Sequence, residues 1–152
     1  MATVEEILRA HPFFVGAPPD EVSLVAGCGR NCMFRIGEYL YREGEPANEF
    51  FLIREGKVAL EIAAPGRAPV VFETLGLGDF VGASWLIPPY RWAFDARAVE
   101  LTRTIGIDAA CLRGKCEADH TFGYEMMKRF LVPLVQRLQR TRLQILDVYG
   151  KH

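Results

Sequence analysis

The chain has 152 residues, of which 50% are hydrophobic and 24% are charged, and its formal net charge is −1. This composition is that of one globular domain with a core of its own, and it excludes wholesale disorder. The near balance of 18 basic and 19 acidic side chains also argues against a surface built to bind a nucleic-acid backbone.

No apolar run approaches the roughly 18 residues that a membrane span requires. The first ten residues are acidic and helical in pattern, and they lack the basic start and apolar stretch of a secretory signal. We therefore expect a cytoplasmic protein that does not associate with a membrane.

Two helices are predicted at the N-terminal end. Thr3 and Glu6 form a capping box at the start of the first helix, which ends at His11-Pro12. Pro18 opens the second helix, which extends to about Gly27.

Short strands are predicted between Met33 and Asp108, where glycines recur between runs rich in β-branched and aromatic residues. The runs are residues 38–41, 50–53, 57–62, 70–75, 94–99 and 102–107. Regular short strands with turn residues between them predict an antiparallel sandwich or barrel. In residues 57–62 the alternating pattern predicts that Val58, Leu60 and Ile62 face inward.

From residue 109 onward the pattern is helical. Asp108 is a good N-cap, residues 119–121 interrupt the pattern, and a long helix follows to about Val148. Pro133 lies inside this helix, where a proline costs about 3 kcal/mol. We therefore expect a kink or a helix boundary near Val132.

The long helix carries a heptad seam, the spacing of a helix that pairs with another helix. We expect its first members, Met127 and Leu131, to face the strands. The predicted homodimer interface consists of Leu134, Leu138, Thr141, Ile145 and Val148. The alternative is that Pro133 turns the end of the helix back, so that the same seam is buried within one chain.

Basic side chains accompany the seam, and we interpret them as a solvated flank rather than a nucleic-acid-binding stripe. They are Lys128, Arg129, Arg137, Arg140 and Arg142. Only four residues follow Val148, which is too few for a helix-turn-helix. Direct nucleic-acid binding is therefore not expected.

The four cysteines form two local pairs, Cys28 with Cys32 and Cys111 with Cys116, spaced C-x3-C and C-x4-C. Neither spacing is the C-x2-C of zinc knuckles, and the histidines lie far from both pairs, so no metal site is expected. For a cytoplasmic protein we favour reduced cysteines with a structural role.

The most specific stretch is residues 37–60, GEYLYREGEPANEFFLIREGKVAL. Its glycines stand where strands reverse, and glycine tolerates the positive φ of such turns. The stretch resembles the signature of cyclic-nucleotide-binding domains of the catabolite-activator type, and the order of helices and strands around it fits as well.

This resemblance implies a mixed α and β fold. Its centre is an antiparallel β-roll (a double-stranded β-helix, jelly-roll-like) of about eight short strands, flanked by N-terminal helices and a C-terminal helix pair. We expect one domain, with N-terminal helices in residues 1–32, the roll in 33–108 and the C-terminal helices in 109–149.

The resemblance also places a phosphate-binding cassette in residues 78–93. Gly82 matches the family's glycine at the helix start, and Arg91 is similar to the arginine that binds the phosphate. The residues expected to bind the ligand are Gly82, Ala83, Ser84, Arg91 and Trp92, with Arg97 as a reserve candidate for the phosphate. For Arg97 the alternative is a surface ion pair with Asp95, and the apolar residues 85–90 either line a pocket or pack against the roll.

Two positions depart from the family pattern. Ala83 stands where the family has a glutamate that holds the ribose hydroxyl, and Trp92 stands where it has Ser or Thr. A hydrogen bond to a charged group contributes about 1.5–3 kcal/mol, so its loss weakens binding roughly ten- to hundredfold. Cyclic AMP is therefore expected to bind weakly or not at all.

The predicted function is that of a regulatory domain that binds a small anionic or nucleotide-like ligand, a cyclic nucleotide or another small anion, in a non-standard pocket. The alternative is a degenerate module that acts as a protein-interaction or dimerisation scaffold without binding nucleotide. The sequence has no H-E-x-x-H, G-x-S-x-G or P-loop motif, so no enzymatic activity is expected.

Overall fold

The structure, a computed structural model, describes residues 1–150, apart from the side chains of residue 145 and of residues 148–150. The helices are α1 (Val4–Ala10), α2 (Pro19–Ala26), α3 (Ala109–Ala118) and α4 (His120–Gly150), with short 3-10 helices at Pro12–Phe14 and Ser84–Leu86. The strands are β1 (Gly29–Phe34), β2 (Tyr39–Tyr41), β3 (Glu49–Glu55), β4 (Val58–Ile62), β5 (Val70–Leu75), β6 (Phe80–Val81), β7 (Asp95–Ala98) and β8 (Thr102–Asp108).

The strands form two antiparallel sheets of four strands each, in the orders β1-β8-β3-β6 and β2-β7-β4-β5. Helices precede and follow this roll, so the predicted mixed fold with about eight short strands is confirmed. The first helix is capped as predicted, because the Thr3 hydroxyl accepts a hydrogen bond from the Glu6 N–H at 3.1 Å. Asp108 caps α3 in the same way, through the N–H of Cys111 at 2.7 Å.

Two strands were absent from the prediction. The roll begins with β1 at Gly29, four residues before the predicted start at Met33, and β6 lies inside the predicted cassette. Half of the six residues of β1 are exposed and none is buried, and β6 has only two residues, so neither strand shows the apolar alternation of a half-buried strand.

The predicted inward face of β4 is wrong at its end. Val58 and Leu60 are buried, but Ile62 is exposed and Glu61 is 1% exposed. The register with β5 shifts between Leu60 and Glu61, and this bulge reverses the faces of the residues that follow.

An aromatic cluster joins α4 to the roll. The Phe130 ring of α4 lies 4.7–5.3 Å, between centroids, from the rings of Phe80, Phe13, Phe50 and Trp85. Met126 and Phe130 are buried, whereas Met127 and Leu131 are exposed, so the predicted contact of Met127 and Leu131 with the roll is wrong. The four-residue spacing of the buried side chains, rather than the heptad seam, fixes which face of α4 packs.

Pro133 does not end α4, which is one helix from His120 to Gly150. The predicted boundary near Val132 is therefore wrong. Phe130 is buried and Leu134 packs partly against the core, so tertiary contacts hold the helix on both sides of the proline. We attribute the tolerance of Pro133 to this packing.

Cys28 and Cys111 form a disulfide across 83 residues of sequence. The expectation of reduced cysteines is wrong for this pair. The pairing of Gly29 with Ile107 brings the start of β1 beside the start of α3, a contact that the local cysteine spacings do not reveal. Cys32 and Cys116 are free, and burial raises the pKa of both thiols.

Candidate functional site

The cassette-like segment turns sharply at Gly82, directly after β6. Gly82 has φ +102°, and a Cβ atom built on it would lie 2.6–2.7 Å from the Trp92 ring. The turn and the close approach of the indole both require glycine at this position. The 3-10 helix Ser84–Leu86 follows and buries Trp85 in the core.

Trp92 lies inside the roll against this turn. Its ring stacks on Tyr41 with centroids 3.7 Å apart and an interplanar angle of 9°, and the side chain is buried. The backbone N–H of Trp92 donates to the carbonyl of Glu45 at 3.0 Å, and the backbone carbonyl of Trp92 accepts from the N–H of Gly44 at 2.8 Å. The indole therefore occupies the space over Gly82.

Arg91 points the other way. Its side chain is exposed, and its guanidinium donates to the carbonyl of Gly44 at 2.9 Å. Its backbone forms an isolated antiparallel β-bridge with Pro46. The structure does not bring Arg91 together with Gly82, Ala83 and Ser84 in one cavity. Ligand contact by Arg91 stays a prediction.

Arg97 is committed to a carboxylate. Its guanidinium makes bonds of 2.6–3.1 Å to both carboxylate oxygens of Glu61, which is buried. The predicted alternative, an ion pair between Asp95 and Arg97, is wrong. Asp95 is buried, accepts the N–H of Glu43 at 2.7 Å and lies 3.5 Å from Arg42.

A cavity of about 180 Å³ lies between the Gly82 turn and α4. The turn contributes Gly82, Ala83 and Ser84, three of the predicted ligand-binding residues. The helix contributes Leu134, Arg137 and Thr141, and the strands and their loops contribute Leu60, Phe72, Glu73 and Phe94. The wall is therefore largely apolar, with a few polar groups at defined places.

Arg137 supplies positive charge to this cavity. Its guanidinium donates to the carbonyl of Phe80 and lies 4.2 Å from the centroid of the Phe80 ring. Burial lowers the pKa of Arg137, and Asp79 and Glu73 nearby oppose that shift. The interpretation of Arg137 as part of a solvated flank is wrong, because Arg137 lines the cavity. Leu134 and Thr141 line it from the same face of the helix.

Further basic side chains link α4 to the roll and to the N-terminal segment. Arg140 forms an ion pair with Glu73, and Arg129 donates to the carbonyls of Phe13 and Val15. The solvated-flank interpretation is therefore wrong for Arg129, whereas Arg140 is exposed, as that interpretation expects.

Helix α3 holds the cassette-like segment through Arg113. Its guanidinium donates to the carbonyl of Trp85 at 2.6 Å and lies 4.2 Å from the centroid of the Tyr90 ring. Residues 85–90 meet both parts of the prediction. Trp85 packs against the roll, while Trp85, Leu86 and Tyr90 also line a cavity of about 310 Å³, and Ile87 is exposed.

The residues of the predicted dimer interface differ in their exposure. Leu134 is partly buried against the core, and Leu138 is 52% exposed. Thr141 is exposed and also lines the cavity. The side chains of Ile145 and Val148 lie outside the described residues.

Two general features bear on function. None of the described helices combines the length and the apolar character that a bilayer crossing needs. Within residues 1–150, no group of three or more His, Cys, Asp and Glu side chains is placed to hold a metal ion.

The roll and the order of the helices around it also occur in known proteins. A family model of the cyclic nucleotide-binding domain matches residues 32–119, more than half of the chain. The chain therefore belongs to the cyclic nucleotide-binding domain family.

Curated relatives share the domain within longer proteins. The chain is 26% identical over 145 residues to the CRP-like cAMP-activated global transcriptional regulator of Mycobacterium tuberculosis, covering 95% of this chain and 63% of that protein. It is 28% identical over 136 residues to human cGMP-dependent protein kinase 2, covering 88% of this chain and 17% of the kinase. The chain thus spans less than two thirds of the length of these relatives.

Solved structures share the fold. A Geobacter metallireducens protein described as cyclic nucleotide-binding superposes with a TM-score of 0.79 at 26% identity, over 91% of this chain and 99% of that one. The Thermus thermophilus catabolite activator protein superposes with a TM-score of 0.69 at 23% identity, over 91% of this chain and 63% of that one.

Proposed function

We propose that this domain is a sensor that binds a small anionic or nucleotide-like ligand in the cavity between the Gly82 turn and α4. The observation that carries the proposal is that one cavity has walls from both the roll and the helix. A ligand in this cavity contacts both elements at once, so it binds one position of α4 more tightly than another and shifts the population toward that position.

The size and lining of the cavity define the ligand class. Its volume of about 180 Å³ is below the roughly 300–1,000 Å³ of sites for drug-sized ligands. A compact ligand with an apolar body and an anionic group fits this wall. A whole cyclic nucleotide requires a shift of α4 or of Trp92, so its binding is weak.

The relatives support cyclic nucleotides as the first compounds to test. The M. tuberculosis regulator is cAMP-activated by name, and the human kinase is cGMP-dependent by name. In keeping with these regulatory relatives, the proposed role is regulatory rather than catalytic, and the proposed location is the cytoplasm.

A homodimer through α4 is the second part of the proposal. Apolar side chains stay exposed along the helix, and they include Met127, Leu131, Val132, Val135, Leu138, Leu143 and Leu146. A contiguous exposed apolar stripe of this length is uncommon on a monomer. The dimer passes a change in α4 of one subunit to the other.

A thermal-shift panel tests ligand binding. The probes are cyclic AMP, cyclic GMP, inorganic phosphate and short carboxylates at up to 10 mM. A ligand at 100 times its Kd stabilises the fold by about 2.7 kcal/mol, which raises the Tm of a domain of this size by roughly 5–10 °C. Ala83→Leu fills the cavity, and Ala63→Leu is the matched control because Ala63 is exposed outside the cavity.

We expect at least one anion to raise the Tm of the wild-type chain and of Ala63→Leu, and to leave Ala83→Leu unchanged. If no anion raises the wild-type Tm, the sensor proposal fails and the scaffold without a ligand takes its place. An equal shift in Ala83→Leu means that the ligand binds outside this cavity.

A further inference from the structure

The cavity wall on α4 contains a cation, Arg137, that forms no ion pair with a carboxylate of the described residues, although Glu73 of the same wall lies near it. Arg137 donates a hydrogen bond to the carbonyl of Phe80, and its guanidinium stacks on the Phe80 ring. No carboxylate of the described residues forms an ion pair with it. A guanidinium has five N–H donors, so most of the hydrogen-bonding capacity of Arg137 is unused.

The acidic groups nearest to Arg137 are committed elsewhere. Glu73 pairs with Arg140, and the Asp79 carboxylate accepts the N–H of Gly76 at 2.9 Å. Burial lowers the pKa of Arg137. Asp79 and Glu73 oppose that shift from nearby, but neither carboxylate forms an ion pair with Arg137. A partly buried charge left without a counter-charge is costly, and an anion in the cavity removes that cost.

The other arginines of the region are placed differently. Arg91 is exposed and donates to the carbonyl of Gly44. Arg97 donates to both carboxylate oxygens of buried Glu61. Neither lines the cavity, whereas Arg137 does.

We propose that Arg137 holds the anionic group of the ligand, in place of Arg91 and Arg97. This assignment rests on the proposed function and adds the residue that determines charge specificity. The planar fork of Arg137 can bind two oxygens of a phosphate or carboxylate. Because Arg137 belongs to α4, the anionic group is bound by the helix itself, while Gly82, Ala83 and Ser84 contact the ligand from the roll.

The test compares a charged probe with a neutral one of related shape. Backbone amide NMR spectra of the full chain are recorded during titration with cyclic AMP and with adenosine, which lacks the phosphate. The wild-type chain is expected to bind cyclic AMP roughly 10- to 100-fold more tightly than adenosine, since a hydrogen bond to a charged group has that effect. The amides of Gly82, Ala83 and Ser84 report occupancy of the cavity.

Three glutamine variants separate the arginines. Arg137→Gln is expected to lose the preference for cyclic AMP over adenosine while it keeps its affinity for adenosine. Arg91→Gln tests the rival residue, and Arg142→Gln is the control because Arg142 is an exposed arginine of α4 outside the cavity. Both are expected to keep the wild-type preference. Arg137→Lys retains the charge and is expected to keep part of the preference for cyclic AMP over adenosine. This variant provides the test if Arg137→Gln does not fold.

The possible results are distinguishable. A full preference in Arg137→Gln, or a preference lost in Arg91→Gln, overturns the assignment of Arg137. If the preference is lost equally in Arg137→Lys, the role of the residue is not its charge, and the assignment also fails. If none of cyclic AMP, cyclic GMP, inorganic phosphate and the short carboxylates shifts the three amides of the wild-type chain, the proposed function itself fails.

Discussion

Trp92 sets the shape of the site at the scale of a single residue. It stacks on Tyr41 and lies so close to Gly82 that any side chain there would collide with it. Residues 91 and 92 point to opposite faces of an extended segment, so a buried Trp92 requires an outward Arg91. The sequence contains this alternation but does not say which residue faces inward, and the assignment of ligand contacts depended on that choice.

Replacing Trp92 by Ser is expected to destabilise the fold while it opens the space over Gly82. Truncation of a buried tryptophan costs about 3–5 kcal/mol. Urea unfolding measures the change, with Ile87→Ser as a control because Ile87 is exposed in the same segment. A loss below about 1 kcal/mol for Trp92→Ser would show that the stack with Tyr41 does not support the fold.

His11 gives the stability a dependence on pH. The side chain is buried, its Nε2 lies 2.8 Å from the carbonyl of Ile53, and its Nδ1 accepts the N–H of Phe13 at 3.1 Å. Burial lowers the pKa of His11, while the Ile53 carbonyl and Asp79 oppose that shift. Because Nδ1 accepts a hydrogen bond, the folded state holds the neutral ring and takes up a proton less readily than the unfolded state.

We therefore expect stability to be constant above about pH 7 and to fall as the pH drops below the unfolded pKa of about 6.5, toward the lower pKa of the folded state. The maximum slope for one group is about 1.4 kcal/mol per pH unit. His11→Asn keeps an acceptor for Phe13 and does not titrate. Unfolding free energies at pH 7.5, 6.5 and 5.5 should fall less steeply in this variant, and parallel curves would contradict the prediction.

At the scale of the elements, the sequence predicts best where turns and periodicity are strong. Gly37, Gly44 and Gly56 have positive φ, and the strands between them lie within a few residues of their predicted positions. Predictions failed where tertiary contacts decide the outcome, as in the bulge of β4 and the packed face of α4. The cavity residue Arg137 was missed for the same reason, because its partner Phe80 is 57 residues away in sequence.

The disulfide links two elements, and its loss is expected to destabilise the domain. Cys28 precedes β1 and Cys111 lies in the first turn of α3. Removal of a native disulfide costs about 2–5 kcal/mol, largely through the greater freedom of the unfolded chain. Urea unfolding of the Cys28→Ser, Cys111→Ser double variant and of the reduced wild-type chain should show this loss.

Cys32→Ser serves as the control for the disulfide, because Cys32 is free. It should keep the sensitivity of the wild-type chain to reductant, whereas the double variant should not respond to reductant. An unchanged unfolding curve of the wild-type chain after reduction would contradict a stabilising disulfide.

At the scale of the whole molecule, α4 has two different faces. One face packs against the roll through Phe130 and closes the cavity with Arg137, while the other carries exposed apolar residues such as Leu138. In the proposed dimer, α4 would contact both the cavity and the second subunit, and could therefore transmit occupancy of the cavity to the dimer.

Leu138→Glu is expected to convert a dimer into a monomer, because it places a charge in the centre of the apolar stripe. Analytical ultracentrifugation at micromolar concentration measures the mass. Leu77→Glu is the matched control, since Leu77 is an exposed leucine that does not belong to α4. A monomeric wild-type chain, or a dimer that Leu138→Glu leaves intact, would show that α4 is not the interface.

Hydrogen–deuterium exchange of the full chain with and without 5 mM cyclic AMP tests the central claim, that the cavity between the Gly82 turn and α4 binds the ligand. Exchange should slow in the Gly82 turn, residues 82–84, and in the part of α4 around residues 134–141. These regions face each other across the cavity, and the strand residues that complete its wall, Leu60, Phe72, Glu73 and Phe94, should be protected with them. Protection confined to parts of the chain that do not line the cavity, or unchanged exchange in both the turn and α4, would contradict the account.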